Sequence, residues 1–203
     1  MSPLPVSASL KLPLVLASAS PRRLELLRQI GIDPAAVDPA EIDETPARTE
    51  LPAAYVRRMA LAKLRAVQSR HPGAIVLAAD TVVACGRRIL PKAETETEAC
   101  ACLALLSGRR HRVLGGLAVG GPGLALRQCV VESVVRFKRL ERAEVEAYIA
   151  SGEWRGKAGG YAIQGRAAAL VAFVSGSYSN VVGLPLHELA GLLKGAGWWQ
   201  EQV

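Results

Sequence analysis

The sequence predicts an α/β fold in which helices flank a mixed β-sheet. Strand and helix signals alternate through the first half of the chain, which is typical of this fold class. Residues 74–79 (AIVLAA) form a continuous apolar run, the pattern of a strand buried on both faces. Residues 110–119 and 124–138 predict two long strands, and the GGPG between them is a strong turn signal.

The first strand and helix are predicted over residues 13–18 and 21–30. Ser20 is the expected N-cap of the helix, proline occupies the favoured first position, and Gly31 ends the helix. The acidic, proline-rich residues 33–51 that follow are expected to form a surface loop.

A second helix and the buried strand follow this loop. Over residues 52–70, small or apolar residues recur at helical spacing: Val56, Met59, Ala60, Leu64 and Val67. Lys63 lies on the same stripe, so its ammonium either extends to solvent or meets an anion in a cleft. The strand at 74–79 is expected to end at Asp80 and Thr81, before VVACGRRIL resumes across a glycine turn.

The remaining elements complete the alternation. Thr95 and Glu98 form a capping box for a helix over 96–107. Further along, the sequence predicts a helix over 141–151, a loop over 153–165, strands over 169–174 and 178–182, and a last helix from Pro185. Because no internal repeat or low-complexity tract occurs, we expect residues 1–203 to form one domain.

Composition narrows the class of partner. Lys and Arg outnumber Asp and Glu by 25 to 18, and the resulting net charge of +7 suits a partner that carries phosphates. Proteins that read single-stranded nucleic acid interleave aromatic with basic residues, whereas this chain has only nine aromatic residues. The composition therefore argues against a nucleic-acid partner.

The cysteines Cys85, Cys100, Cys102 and Cys129 form no CxxC pair and predict neither a zinc site nor a disulfide framework. Free thiols are ordinary in a reducing compartment, so we expect a cytoplasmic protein. The segment LKLPLVLASAS is a poor signal peptide, because its apolar run is short and Pro13 interrupts it. No stretch approaches the roughly 18 consecutive apolar residues that a membrane helix requires.

Arg22 and Arg23 lie in the first turn of the predicted helix 21–30, where the helix dipole disfavours a cation by about 0.3 to 1 kcal/mol. An anion such as a phosphate would make the placement favourable, since backbone N–H groups and both guanidiniums would converge on it. Alternatively, both side chains extend into solvent. Neither GxxxxGK[ST] nor GxGxxG occurs, which excludes a P-loop and a dinucleotide-binding fingerprint.

Two carboxylates are candidates for chemistry. Asp80, at the expected end of an apolar strand, could hold a divalent metal or accept a proton from water, or it could cap the following turn. The sequence does not separate a metal ligand from a base. Glu44 lies in the acidic loop within Ile42-Asp43-Glu44, a setting in which glutamates are usually solvated.

A glycine-rich loop is the candidate for reading a ligand. Gly159, Gly160 and Gly165 flank YAIQ, so the backbone can approach a ligand closely while the amide of Gln164 suits the edge of a planar base. The conformation of the loop could equally require those glycines. Lys92 carries no signal by itself. The three histidines lack the spacing of metal ligands or of a serine–histidine pair and are expected to be structural or exposed: His71, His111 and His187.

Together and in this order, the motifs resemble those of the Maf-like nucleoside triphosphate pyrophosphatases. The matching motifs are SASPRR after a strand, IDE, YVRRMALAK, AADT, a lysine twelve residues beyond the aspartate, KAGGYAIQG and VVGLPL. The resemblance covers residues 13–195, and the YAIQG segment is similar to the branch that acts on dTTP and UTP. The chain departs from the family in reading AAD where GAD is typical and PKA where KP is typical.

The resemblance implies two lobes around a nucleotide cleft, a divalent metal (Mg or Mn), a homodimer, and hydrolysis of a nucleoside triphosphate to a monophosphate and pyrophosphate. By motif, Asp80 matches the catalytic proton acceptor, and Glu44 and Asp80 are the implied metal ligands. The implied substrate-binding residues are Ser20, Arg22 and Arg23 in a phosphate-binding turn, the cleft lysines Lys63 and Lys92, and Arg22, Thr81 and Gln164 at positions linked to substrate choice.

Two other functions stay open at this point. One is hydrolysis of 7-methylguanosine triphosphate, the activity of the other branch of the family. The other is regulation of cell division, with nucleotide as a ligand only. The first dozen residues and the tail GWWQEQV lie outside the resemblance, and the sequence assigns them no role.

Overall fold

The structure is a computed structural model that describes residues 12–199. Most of the first dozen residues and the end of the GWWQEQV tail lie outside this range. The strands, in chain order, are β1 (Leu14–Ala17), β2 (Ala36–Val37), β3 (Ile75–Cys85), β4 (Arg88–Leu90), β5 (Lys92–Ala93), β6 (Arg110–Gly121), β7 (Leu124–Phe137), β8 (Lys157–Ala158) and β9 (Val171–Ser175).

Six α-helices and one short 3-10 helix accompany these strands in the described range. The α-helices are α1 (Pro21–Gln29), α2 (Pro52–Gln68), α3 (Glu96–Leu106), α4 (Arg142–Ala150), α5 (Tyr178–Val182) and α6 (Leu186–Gly195). The 3-10 helix covers Arg166–Leu170. Between residues 12 and 199, every helix is too short or too polar to cross a membrane.

The main sheet is mixed, which confirms the predicted fold class. Its seven strands run in the order β2-β1-β3-β6-β7-β9, with β4 paired to the far end of β3. β1 is parallel to β2 and β3, whereas the other pairs of this sheet are antiparallel. β6 and β7 form the long hairpin predicted around GGPG.

Apolar layers cover both faces of the main sheet. Val15 and Ala17 of β1 pack in the layer beneath α2, while Leu14 and Leu16 pack on the opposite face with residues of α1 and α6. This double burial accounts for the uninterrupted apolar runs of β1 and β3 in the sequence.

A smaller lobe is built around the far end of β3 and β6. Its core joins residues of α3 and α4 to the fully buried side chains of Phe137 and Trp154. β5 and β8 form a separate two-stranded antiparallel sheet on this lobe. The chain therefore has the two-lobed α/β arrangement that the family resemblance implies.

The predicted helix starts are confirmed, with one difference in detail. The hydroxyl of Thr95 accepts a hydrogen bond from the Glu98 backbone, and the Glu98 carboxylate accepts one from the Thr95 backbone, as in a capping box. Ser20 lies at the N-cap of α1, but its side chain makes no capping hydrogen bond. Its backbone N–H donates instead to the hydroxyl of Ser18.

The predicted end of the buried strand at Asp80 is wrong. β3 continues to Cys85, because β6 pairs with it from Val76 to Ala84 and supplies backbone partners through the polar pair Asp80-Thr81. A pattern of side chains cannot show this, since the neighbour that sustains β3 lies further along the chain, where Gly116 of β6 pairs with Asp80.

The prediction of a strand over 178–182 is also wrong, because these residues form α5. The side chain of Ser177 caps the helix by accepting from the Asn180 backbone, and the Asn180 amide donates to the carbonyl oxygens of Val113 and Val131. These tertiary hydrogen bonds override the strand preference of its tyrosine and valines. The strand predicted over 169–174 begins later, at Val171, because the 3-10 helix precedes it.

Two adjacent glycines in β6 allow close packing on both faces of the sheet. A Cβ at Gly116 would lie 2.3 Å from the carbonyl oxygen of Val56 in α2. A Cβ at Gly115 would lie 2.0 Å from the side-chain oxygen of Asn180 in α5. Only glycine therefore lets α2 and α5 approach β6 this closely.

We expect Gly116→Ala to lower the free energy of unfolding by about 1–3 kcal/mol, the usual cost of overpacking, because the carbonyl of Val56 cannot move independently of α2. Gly191→Ala is the matched control. Gly191 lies in α6 with no atom within 4 Å of a new Cβ, so alanine there should be neutral or stabilise by up to about 1 kcal/mol. Urea denaturation followed by circular dichroism compares the two, and equal stabilities would contradict the close approach of α2.

Candidate functional site

A cleft opens where β1 ends and β3 continues. Pairing between the two strands stops at Ala17, opposite Ala78, and the chain then turns into α1. Asp80 and Thr81 therefore lie on β3 beyond its last contact with β1. The space beside them is a cleft of about 370 Å³, lined by residues from both lobes.

Asp80 and Thr81 contact groups on opposite faces of the sheet. Successive side chains of a strand point to opposite faces, so Asp80 meets Lys63 of α2 while Thr81 meets Arg23 of α1. Because β1 has ended, both side chains also line the cleft. Asp80 thus lies in the middle of β3, and the strand that ends beside it is β1.

Four charged side chains form a connected group, here called the carboxylate–lysine network. The Nζ atom of Lys63 lies 2.6 Å from Oδ1 of Asp80 and 2.7 Å from Oε1 of Glu44. The other oxygen of Glu44, Oε2, lies 2.6 Å from Nζ of Lys92. Two ammoniums thus alternate with two carboxylates, and the formal charges of the network cancel.

Burial makes the pairing within this network necessary. Lys63 is 6% exposed and Asp80 is 4% exposed, and charges so far from water are tolerated only when they are paired. Burial alone would raise the pKa of Glu44, but the hydrogen bonds from Lys63 and Lys92 outweigh it and hold this pKa at about 2. Lys63 therefore occupies an apolar stripe because Asp80 and Glu44 meet it there.

The loop that carries Glu44 is tethered to α2. The hydroxyl of Tyr55 donates to the backbone carbonyl of Glu44 at 2.7 Å. Near the start of the loop, Arg70, two residues after the end of α2, donates through Nε and Nη2 to the two carboxylate oxygens of Asp38, both at 2.8 Å. The segment has only the two-residue strand β2, as expected for a loop, yet its glutamate is half-buried in the network and not simply solvated.

Lys92 is positioned by the small sheet. It lies in β5, where its register partner is Ala158 of β8. The pairing holds the backbone of Lys92 beside residues 153–165, the loop that the sequence predicts to contact a ligand. The network therefore reaches from α2, beneath the main sheet, to the smaller lobe.

Arg23 is fully engaged, whereas Arg22 is not. The guanidinium of Arg23 donates to the hydroxyls of Ser18 and Thr81 and to the carbonyl oxygen of Gly183. Arg22 lines the same cleft, and within residues 12–199 its guanidinium makes no hydrogen bond or salt bridge. Burial lowers the pKa of both arginines, so an anion in the cleft would find a partly desolvated guanidinium without a partner.

Gln164 lines the cleft from the loop at 153–165. Hydrogen bonds hold Tyr161 and Ala162, the first two residues of its YAIQ segment. The hydroxyl of Tyr161 lies 2.8 Å from Nε2 of buried His111, and the backbone N–H of Ala162 donates to the hydroxyl of Tyr148. Burial lowers the pKa of His111 to about 4, so its imidazole is neutral at pH 7. His111 is therefore structural, as expected, and supports the loop.

The cleft brings together all nine site residues predicted from the sequence: Ser20, Arg22, Arg23, Glu44, Lys63, Asp80, Thr81, Lys92 and Gln164. Sequence reasoning missed Ser18, Arg155, Lys157 and Gly183, which also line it. Ser18 and Gly183 bind Arg23, and both belong to motifs that carry the family resemblance. Arg155 and Lys157 stand in EWRGK, a cluster of charge beside glycines that could have drawn attention to them.

The donor set of the cleft fits a divalent cation that arrives with a ligand. Within residues 12–199, no group of three or more His, Cys, Asp or Glu side chains could enclose a metal by itself. Glu44 and Asp80, however, both contact the ammonium of Lys63, so their carboxylates converge on one cationic position. Two carboxylates completed by phosphate oxygens and water are a usual environment of Mg²⁺ in proteins.

Comparison with known proteins places the chain among relatives over most of its length. The family model described as Maf-like protein matches residues 13–196. The chain is 64% identical over 185 residues to the dTTP/UTP pyrophosphatase of Paramagnetospirillum magneticum, covering 91% of this chain and 97% of that one. It is 62% identical over 186 residues to the dTTP/UTP pyrophosphatase of Rhodospirillum rubrum, covering 92% and 89%.

Similarity to solved structures concerns the fold alone. A HAM1 protein from Coxiella burnetii superposes with a TM-score of 0.51 at 19% sequence identity. The match covers 91% of this chain and 100% of that chain. The fold is thus shared with a protein of distant sequence.

The depressed pKa of Glu44 predicts a pH-dependent contribution to stability. This pKa is about 2 in the folded protein against an ordinary value of 4.5, so the ion pairs of Glu44 stabilise the fold above pH 4.5 and are lost as the pH falls towards 2. At pH 7, Glu44→Gln should be less stable than wild type by about 1–2 kcal/mol, allowing for solvent screening.

The difference in unfolding free energy should shrink between pH 4.5 and pH 2, as measured by urea denaturation at several pH values. Glu146→Gln, which removes an exposed ion pair with Arg142, is the control and should change stability little. If the difference in unfolding free energy between the wild type and Glu44→Gln stays constant over this range, the assigned pairing is contradicted.

Proposed function

The chain belongs to the Maf-like protein family, and from this premise we propose that it hydrolyses dTTP and UTP to the nucleoside monophosphate and pyrophosphate. The observation that carries the proposal is the carboxylate–lysine network beside an unpartnered Arg22 in one cleft. The names of the relatives at more than 60% identity support the choice of substrate.

Arg22 and Arg23 are the proposed phosphate ligands on the α1 side. Both lie in the first turn of α1, and this turn contains no acidic residue to balance their positive charge. Backbone N–H groups of a helix N-terminus and guanidiniums are complementary to phosphate oxygens. Since Arg23 is already held by Ser18, Thr81 and Gly183, Arg22 is the more available of the two guanidiniums.

Glu44 and Asp80 would hold a divalent cation, Mg²⁺ or Mn²⁺, together with phosphate oxygens. When bound, such a cation neutralises charge on the phosphates and makes a bound water more acidic. Lys63 contacts both carboxylates and holds them close to one another for this role. Lys63 contacts Oδ1 of Asp80, which keeps a second lone pair for the cation, whereas Oδ2 has no hydrogen-bond donor among residues 12–199.

Asp80 is the proposed proton acceptor. Oδ2 takes a proton from the attacking water as the water oxygen bonds to the α phosphorus. The bond from that phosphorus to the bridging oxygen breaks, and pyrophosphate leaves with this oxygen. Lys63 and Lys92 are oriented before the reaction by their ion pairs, so they stabilise developing negative charge without rearrangement.

Gln164 and Thr81 are the proposed determinants of substrate choice. The primary amide of Gln164 has a donor and an acceptor, as the edge of a pyrimidine does, and it lines the cleft on a loop held by Tyr148 and His111. The hydroxyl of Thr81 is engaged by Arg23 and donates to the Gly183 carbonyl. We also propose that the enzyme is a cytoplasmic homodimer; its four free cysteines are consistent with a reducing compartment.

A substrate panel tests the proposal. Purified protein with Mg²⁺ or Mn²⁺ should release pyrophosphate and monophosphate from dTTP and UTP faster than from other triphosphates, with no stepwise release of orthophosphate. Asp80→Asn should lower turnover by about 10²-fold or more, and this loss excludes a contaminating enzyme as the source of activity. Circular dichroism should show that the variant keeps its fold. Stepwise orthophosphate release would contradict the reaction. Fastest turnover of 7-methylguanosine triphosphate would contradict the substrate.

Arg22→Ala separates substrate binding from stability. Removal of a charged phosphate ligand should lower kcat/KM for dTTP roughly tenfold or more. Stability should be unchanged or rise by up to about 1 kcal/mol, since a cation leaves a helix N-terminus. Arg28→Ala is the control, because Arg28 lies in the last turn of α1 and pairs with Asp33 in solvent. A variant that loses stability but keeps kcat/KM would show that Arg22 is structural.

A further inference from the structure

The cleft contains more positive charge than the carboxylate–lysine network uses. Among the described residues that line it, six basic side chains face two acidic ones. The network accounts for both acids and two of the bases, which leaves four positive charges. A nucleoside triphosphate carries about four negative charges near neutral pH. The basic residues outside the network are Arg22, Arg23, Arg155 and Lys157.

Arg155 is placed at the cleft by a buried ring. Its guanidinium lies 4.5 Å from the centre of the Trp154 ring, and Trp154 is fully buried with its indole N–H donating to the carbonyl of Ile149. Stacking of this kind orients a guanidinium while leaving its N–H groups free. Within residues 12–199, the side chain of Arg155 has no hydrogen-bond acceptor and no carboxylate partner.

Lys157 is placed by the small sheet. Its backbone pairs with Ala93, the residue after Lys92. The ammonium donates to the backbone carbonyl of Arg155 at 3.1 Å, and no carboxylate in the described range lies within ion-pairing distance of it. The nearby Glu153 is engaged elsewhere, since it accepts from the backbone N–H of Arg166 at 2.7 Å.

Arg22 and Lys157 come from different lobes and repel one another across the cleft. Burial lowers the pKa of Lys157, and the positive charge of Arg22 lowers it further, while Glu153 and Glu94 act in the opposite direction. These two cations, one on α1 and one on β8, line the same cleft, and an anion that lies between them would stabilise both.

We propose that Arg155 and Lys157 form the second half of the polyphosphate site, opposite Arg22, and bind phosphate oxygens of the triphosphate and of released pyrophosphate. This inference rests on the proposed function for the identity of the anion. The site spans both lobes, because Arg22 belongs to α1 and the other two residues belong to the smaller lobe.

Binding of inorganic tripolyphosphate to the full chain, measured by isothermal titration calorimetry, tests this proposal without turnover. Lys157→Met keeps the aliphatic stem but removes the charge, and should weaken binding roughly tenfold or more. Lys157→Arg should restore most of the affinity. Lys138→Met removes an exposed lysine that pairs with Glu144 and is the matched control. Circular dichroism checks that each variant is folded.

Arg155→Gln should likewise weaken tripolyphosphate binding and raise KM for dTTP more than it changes kcat, whereas Arg142→Gln, on the exposed face of α4, should do neither. Affinities of Lys157→Met and Arg155→Gln equal to those of their controls would overturn the proposal even if the wild-type protein hydrolyses dTTP. Failure of the wild-type protein to release pyrophosphate from dTTP, with these affinity losses intact, would overturn the proposed function and leave the anion site standing.

Discussion

The buried ammonium of Lys63, held between Asp80 and Glu44, is the interaction on which the cleft depends. Removing such charges from water costs several kcal/mol each, and only close pairing offsets the cost. Three separate parts of the chain must therefore meet within hydrogen-bond distance: α2, the middle of β3, and the loop that carries Glu44. The position of α2 on the sheet and the hydrogen bond from Tyr55 to the loop both bring these three parts together.

Small residues make this meeting sterically feasible. Gly116 lies directly opposite Asp80 on β6, and its missing side chain lets the backbone of α2 approach the sheet. The departures from the family pattern are also small residues at buried positions. Ala78 and Ala93 are both 0% exposed, so they affect the packing of β3 and β5 while Asp80 and Lys92 keep their ion pairs.

Local signals in the sequence predicted the fold class and the helix starts, and the family resemblance predicted the membership of the site, but neither showed the contacts made through tertiary structure. Lys63 could be found because an apolar stripe makes a lysine anomalous. The course of β3 past Asp80 could not, because it depends on β6. Gly183 was missed for a similar reason, because its carbonyl accepts from Arg23, which is 160 residues away in the chain. Every residue has a backbone carbonyl, so the residue type does not identify this acceptor.

The division of charge in the cleft separates positioning from binding. The neutral network holds its carboxylates and ammoniums in place through its own ion pairs, whereas the cations without a carboxylate partner among residues 12–199 gain an anionic partner only when a ligand enters. Interactions that bind substrate and transition state equally do not accelerate the reaction. In the proposed reaction, rate enhancement would come mainly from the preorganised network, where Lys63 and Lys92 would face charge that develops during bond cleavage. Arg22, Arg155 and Lys157 would then set affinity. A cleft with its cations in one group could not divide the two tasks in this way.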